Sequence, residues 1–116
     1  MGLHKEAESI CRALGDRAGL SRSLGNQAGI LQAWGRLEEA MGLHKEAESI
    51  KRALGDVNGL AISLANQALI LGLNLGRRHE AIPKSEEALR LCSQHGLAAL
   101  APWVKRVLDA VRSQPK

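Results

Sequence analysis

Residues 1–16 read MGLHKEAESICRALGD and residues 41–56 read MGLHKEAESIKRALGD, and the two stretches differ only at Cys11 and Lys51. Laid over one another, positions 1–34 and 41–74 share 24 identities. The second copy then gains one residue: ILQAWGRLEEA (30–40) answers to ILGLNLGRRHEA (70–81). A weaker echo follows, with GLSRSL at 19, GLAISL at 59 and GLAALA at 96. A period of about forty residues organises the chain, and such a period marks an array whose units pack on their neighbours.

Each unit contains two helical patterns. In 36–55, RLEEAMGLHKEAESIKRALG, the residues Leu37, Ala40, Leu43/His44, Ala47, Ile50 and Leu54 recur every three or four positions, one face of an amphipathic helix. Gly55 stops it and Asp56 caps the next. In 16–35, DRAGLSRSLGNQAGILQAWG, the apolar line is Leu20, Leu24, Ala28, Leu31 and Trp34, closed by Gly35. Two helices of this length cannot bury both apolar faces alone, whereas stacked copies can. The spacing predicts helices over 2–14, 17–34, 36–54, 57–75, 77–94 and 98–113. We call 17–34 and 57–75 the A helices, and 2–14, 36–54 and 77–94 the B helices. Gly2, Gly42 and Pro83 share one column early in the B helices. Pro83 removes a backbone donor and is expected to kink its helix or delay its start.

Composition agrees with an all-α reading. The chain is 116 residues with 45% hydrophobic residues, enough for a core, but Trp34 and Trp103 are its only aromatics. The core therefore rests on Leu, Ile, Val and Ala, and strand-favouring residues are scarce. A net charge of +4 without a clustered basic stripe argues against nucleic acid as the partner. Two cysteines do not make a disulfide framework. With no leader pattern and no apolar run near eighteen residues, no membrane role and a cytoplasmic location are expected.

The run G-R-L-E-E-A (35–40) with His44, Ala47 and Ile50 resembles the tetratricopeptide repeat. Small residues at Ala28, Ala40 and Ala47 match that family's close-packing positions, and Leu24 and Leu31 match its large ones. The forty-residue period, with Gly-Asp before each A helix, is similar to the long variant in LGN/Pins-type adaptors and near the kinesin-light-chain kind. The chain departs from the family in lacking its usual aromatics and in carrying Gln27 and Gln67 where Leu is common. HEAT-like hairpins have a similar period but carry Pro, Asp and Arg at set places not found here. A compact helical bundle is the third reading.

The resemblance implies one tetratricopeptide-like α-α superhelix over 1–116: a half repeat 1–15, repeats 16–55 and 56–95, and a capping helix 96–116. It implies a non-enzymatic scaffold that holds a protein or peptide segment in a concave groove lined by the A helices. Family groove positions fall on Arg22, Gly25, Asn26, Gly29, Gln32 and Ala33, and on Ile62, Ala65, Asn66, Leu69 and Leu73. An Asn amide offers a donor and an acceptor to a peptide backbone, which singles out Asn26 and Asn66. The alternative is a structural or engineered repeat module whose only partner is itself.

The second copy works as an internal mutant of the first. Cys11 becomes Lys51, so that place is expected to be open to solvent. Arg22/Ile62 and Gly29/Leu69 change on the expected groove, making it polar in one copy and apolar in the other through Ile62, Leu69 and Leu73. The last helix should close the array, with Leu100, Val104, Val107 and Leu108 inward and Lys105, Arg106, Asp109 and Arg112 outward. Helix 2–14 has no A helix before it in this sequence, leaving Leu3, Ala7, Ile10 and Leu14 for self-association into a homo-oligomer.

No catalytic constellation is expected. His44 and Glu48, or His4 and Glu8, stand four apart, but a structural zinc site needs four ligands. Cys92 lies near His95 without an orienting acid or oxyanion donors. No metal, cofactor or phosphate-binding loop follows from the sequence.

Overall fold

The computed structural model describes residues 2–113. Among them every regular element is helical: α1 (Gly2–Leu14), α2 (Arg17–Ala33), α3 (Leu37–Leu54), α4 (Val57–Leu69), a π-helical turn (Ile70–Asn74), α5 (Arg78–Gln94) and α6 (Ala101–Arg112). The expected boundaries hold to within three residues. Residues 114–116 of the expected cap lie outside the described residues. The chain divides into two units, one ending at Asp56 and one beginning at Val57.

The first unit is built on α2, which packs against both α1 and α3. The turns between them follow from local chemistry. Gly15 takes a left-handed φ of 69°, which a side chain disfavours. Asp16 then caps α2, its Oδ1 accepting from the Gly19 amide at 2.9 Å. Leu20 and Leu24 of α2 close on Ala47 and Ile50 of α3, with Cys11 and Leu43 packed at the edge. Ala28, Ala40 and Ala47 have no exposed surface, as expected of positions where helices approach closely. Trp34 departs from its expected place in the apolar line. It follows the end of α2 and is 58% exposed, because the line runs out with the helix.

In the second unit α4 packs on α5, and α6 lies against both. The extra residue of the second copy is absorbed inside the helix rather than in the turn. Across Ile70–Asn74 the backbone widens to π geometry, and the Leu75 amide donates to the Ile70 carbonyl, five residues back, at 2.9 Å. Gly72 in this turn is buried and lies under Val111 of α6; a Cβ there would stand 2.6 Å from Val111 Cγ1. On α6, Val104, Val107 and Leu108 are buried while Lys105, Arg106, Asp109 and Arg112 are exposed, as expected of a cap; Leu100, expected inward, is half-buried, and Val111 is buried as well. Pro83 sits inside α5 without delaying it: α5 starts at Arg78, which matches the start of α3 at Leu37 once the inserted residue is counted.

Two expectations need correction. The Cys11/Lys51 place is half-buried rather than open. Val57–Asn74 reaches a mean hydropathy of 1.2 over 18 residues, long and apolar enough to cross a membrane by composition, where no such run was expected. Buried over 56% of that window, it has the pattern of a core helix.

Candidate functional site

The A-type helices leave one strip each outside the core. On α2, Arg22, Asn26, Gly29 and Ala33 are exposed, and Gly25 and Gln32 are half-buried. Four-residue spacing puts Arg22 and Asn26 on adjacent turns of one face. They border a cavity of about 270 Å³ whose other walls include His4, Ala7 and Cys11 of α1. Gln32 does not line it. The pair offers a guanidinium and an amide, donors and one acceptor suited to peptide carbonyls or a carboxylate.

On α4, Ile62, Asn66 and Leu69 are half-buried. Leu73, in the π turn, is 44% exposed. Ile62 lines a cleft of about 470 Å³ with Asn58 and the linker Gly96–Leu100. Ala65 has no exposed surface and is core rather than groove, because its Cβ points into the unit while Asn66 looks out beside it. The apolar strip expected from Ile62, Leu69 and Leu73 is therefore partly withdrawn into the packing, and Leu73 carries most of what remains exposed.

What holds the α2 strip in place was missed by the sequence reading. Gln27 is a polar residue in the buried column of α2, and it is 2% exposed. Its Nε2 donates to Glu8 Oε1 at 2.8 Å. Ser23 Oγ donates to the His4 carbonyl at 2.7 Å. Arg12 extends the chain of contacts, donating from Nε to Glu8 at 3.0 Å and from Nη2 to Glu46 of α3 at 3.0 Å. The Glu8 carboxyl is held below its ordinary range chiefly by the Gln27 amide, against the opposing effect of burial, with Arg12 adding to it. The only sequence signal for this network was the two glutamines themselves, polar residues in an apolar column. A cleft of about 620 Å³ opens beside it, with Gln27 and Leu31 at its floor and Trp34, Lys5 and Arg36 among its walls.

Among the described residues no three His, Cys, Asp or Glu side chains gather as a metal site. Cys92 is buried and its thiol is pushed up by burial, while His95 is exposed. His44 is 4% exposed, and burial holds its imidazole down at about 4. Leu3, Ile10 and Leu14 of α1 stand 81%, 58% and 77% exposed, and Ala7 is half-buried. No protein-family model matches the chain, and no curated protein is detectably similar to it.

Proposed function

We propose that this chain is a non-enzymatic, cytoplasmic protein-interaction scaffold of the tetratricopeptide kind. In the superhelix that the tetratricopeptide resemblance implies, the A helices would line a concave groove and take an extended peptide segment. The observation that carries this reading is the repeated asparagine. Asn26 and Asn66 occupy the same register of α2 and α4 and stay out of the core, exposed and half-buried, beside the buried Gln27 and Gln67. A polar side chain kept at one register in both copies, where packing does not demand it, suits a bidentate hold on a peptide backbone. Arg22 in the first copy and Leu73 in the second would then favour a ligand with an acidic portion and an apolar portion.

The test is selection of binders from a displayed random peptide library, followed by titration of the recovered peptides against the wild type and Asn26→Ala/Asn66→Ala. Both proteins should melt at the same temperature. Loss of at least tenfold in affinity in the double variant supports the reading. Undiminished binding, or a library that yields nothing, counts against it. Nucleic-acid binding is the rival that a salt titration separates, since phosphate contacts weaken steeply as salt rises.

A further inference from the structure

The repeat provides an internal control for α1. Its residues 2–10 are identical to residues 42–50 of α3. In α3 the face carrying Leu43, Ala47 and Ile50 is closed by a helix of this chain, through Leu20 and Leu24 of α2, and Ile50 is 6% exposed. In α1 the same face is open: Ile10 is 58% exposed and Leu3 81%. The amino-acid pattern is thus one that a leucine-bearing helix covers, and α1 itself is such a helix.

We propose that α1 is a docking surface for a second copy of this chain, pairing α1 with α1 antiparallel about a two-fold axis between Glu8 and Ser9. Three features select this occupant. Leu3, Ala7, Ile10 and Leu14 are spaced four, three and four apart, the seam of a two-helix pair. The seam is self-complementary when reversed: Leu3 meets Leu14 of the second copy, and the small Ala7 meets the larger Ile10, so the helices approach closely at the centre. The charges of α1 also cancel, two basic (Lys5, Arg12) less two acidic (Glu6, Glu8) giving zero, against +4 for the whole chain. Pairing through this helix therefore brings no net like charge together. Glu8 and Arg12 are already engaged with α2 and α3, and Ala7, at the edge of the seam, is half-buried where α1 borders Arg22 and Asn26. A two-fold contact uses the same α1 patch on both copies, so the pairing closes as a dimer.

The inference does not rest on peptide capture, and its readout is mass rather than ligand affinity. The intact chain is followed by sedimentation equilibrium from about 1 to several hundred µM, the range of a modest helix-pair interface. A monomer–dimer equilibrium is expected, and Ile10→Glu, a change at an exposed position, should abolish the dimer while leaving the helical circular dichroism unchanged. In a Cys11→Ser/Cys92→Ala background, an equimolar mixture of Leu3→Cys and Leu14→Cys proteins should oxidise mainly to the mixed disulfide. A monomeric mass at every concentration, leaving the face to some other helix, overturns the proposal. So does an open series of larger species, a dimer unaffected by Ile10→Glu, or preferential Leu3→Cys self-crosslinking, which would mean parallel pairing.

Discussion

The buried Gln27 and the half-buried Glu8 form an amide–carboxylate pair, 2.8 Å from Nε2 to Oε1, that joins α2 to α1 at a place where an apolar contact would serve a simpler repeat. A hydrogen bond to a charged acceptor is worth roughly 1.5–3 kcal/mol, and truncating the buried partner adds a cavity. Gln27→Ala should therefore lower stability by about 2–4 kcal/mol at pH 7 in denaturant titrations. The pH dependence carries the signature. Because the folded-state pKa of Glu8 is depressed, its contribution is present above the ordinary carboxylate value and is lost as pH falls through the lowered one. The acid limb of the stability curve should be shallower in Gln27→Ala than in the wild type, and equal slopes would count against this account.

His44 gives a second acid response. Its imidazole is 4% exposed, Nε2 has no hydrogen-bond partner among the described residues, and burial, with Lys51 adding repulsion, lowers the pKa from 6.5 to about 4. The unfolded chain binds this proton near 6.5 and the folded chain does not until about 4. Stability is thus whole above pH 6.5 and falls as pH drops toward 4, by on the order of 3 kcal/mol. His44→Gln, which cannot titrate, should remove that loss between pH 6.5 and 4. Retention of the full pH slope in the variant would show that other groups carry it.

Gly72 and Val111 meet at a close helix crossing in the second unit. A methyl at Gly72 would lie 2.6 Å from Val111 Cγ1 and 3.3 Å from the Ala81 Cβ. Gly72→Ala should destabilise by about 1–3 kcal/mol through overpacking, beyond any gain in helix propensity. Val111→Ala opens the same space from the other side. The double variant should therefore be more stable than the sum of the two single losses predicts, with a coupling of at least about 0.5 kcal/mol in a thermodynamic cycle.

Helix number and boundaries were readable because a glycine at each junction from Leu14 to Val57, followed by Asp16, Arg36 and Asp56 in turn, agrees with a period near 3.6. The π turn was not. One inserted residue between Ile70 and Gly76 can widen a turn or a helix, and only the packing of Gly72 beneath Val111 decides between them. Trp34 was misplaced because periodicity continues one step past the last residue that the helix can bury. At the candidate site, Arg22 and Asn26 could be identified as outside the core, whereas Ala65 could not be told from a groove residue, since a small apolar side chain fits both. The hold of Gln27 on Glu8 was out of reach because it joins two helices through side chains nineteen residues apart.

The one difference between the copies' opening stretches is explained by what lies five residues on. Cys11 Sγ donates to Asp16 Oδ2 at 3.9 Å, while its sulfur packs at the edge of the cluster containing Leu20 and Ile50. Lys51 stands in the same relation to Asp56, whose charge opposes the lowering of the lysine pKa by burial. A lysine can lay its methylenes along apolar surface and carry its ammonium to a nearby carboxylate, so a half-buried place accepts either residue. Cys11→Lys should accordingly change stability by less than about 1 kcal/mol, within the usual range of tolerated surface changes. Cys11→Lys/Asp16→Asn should lose more than the sum of its single changes, because the ammonium is left beside the cluster without its carboxylate. Strict additivity of the two changes would mean that Asp16 acts only as the cap of α2 and that the exchange is governed by exposure alone.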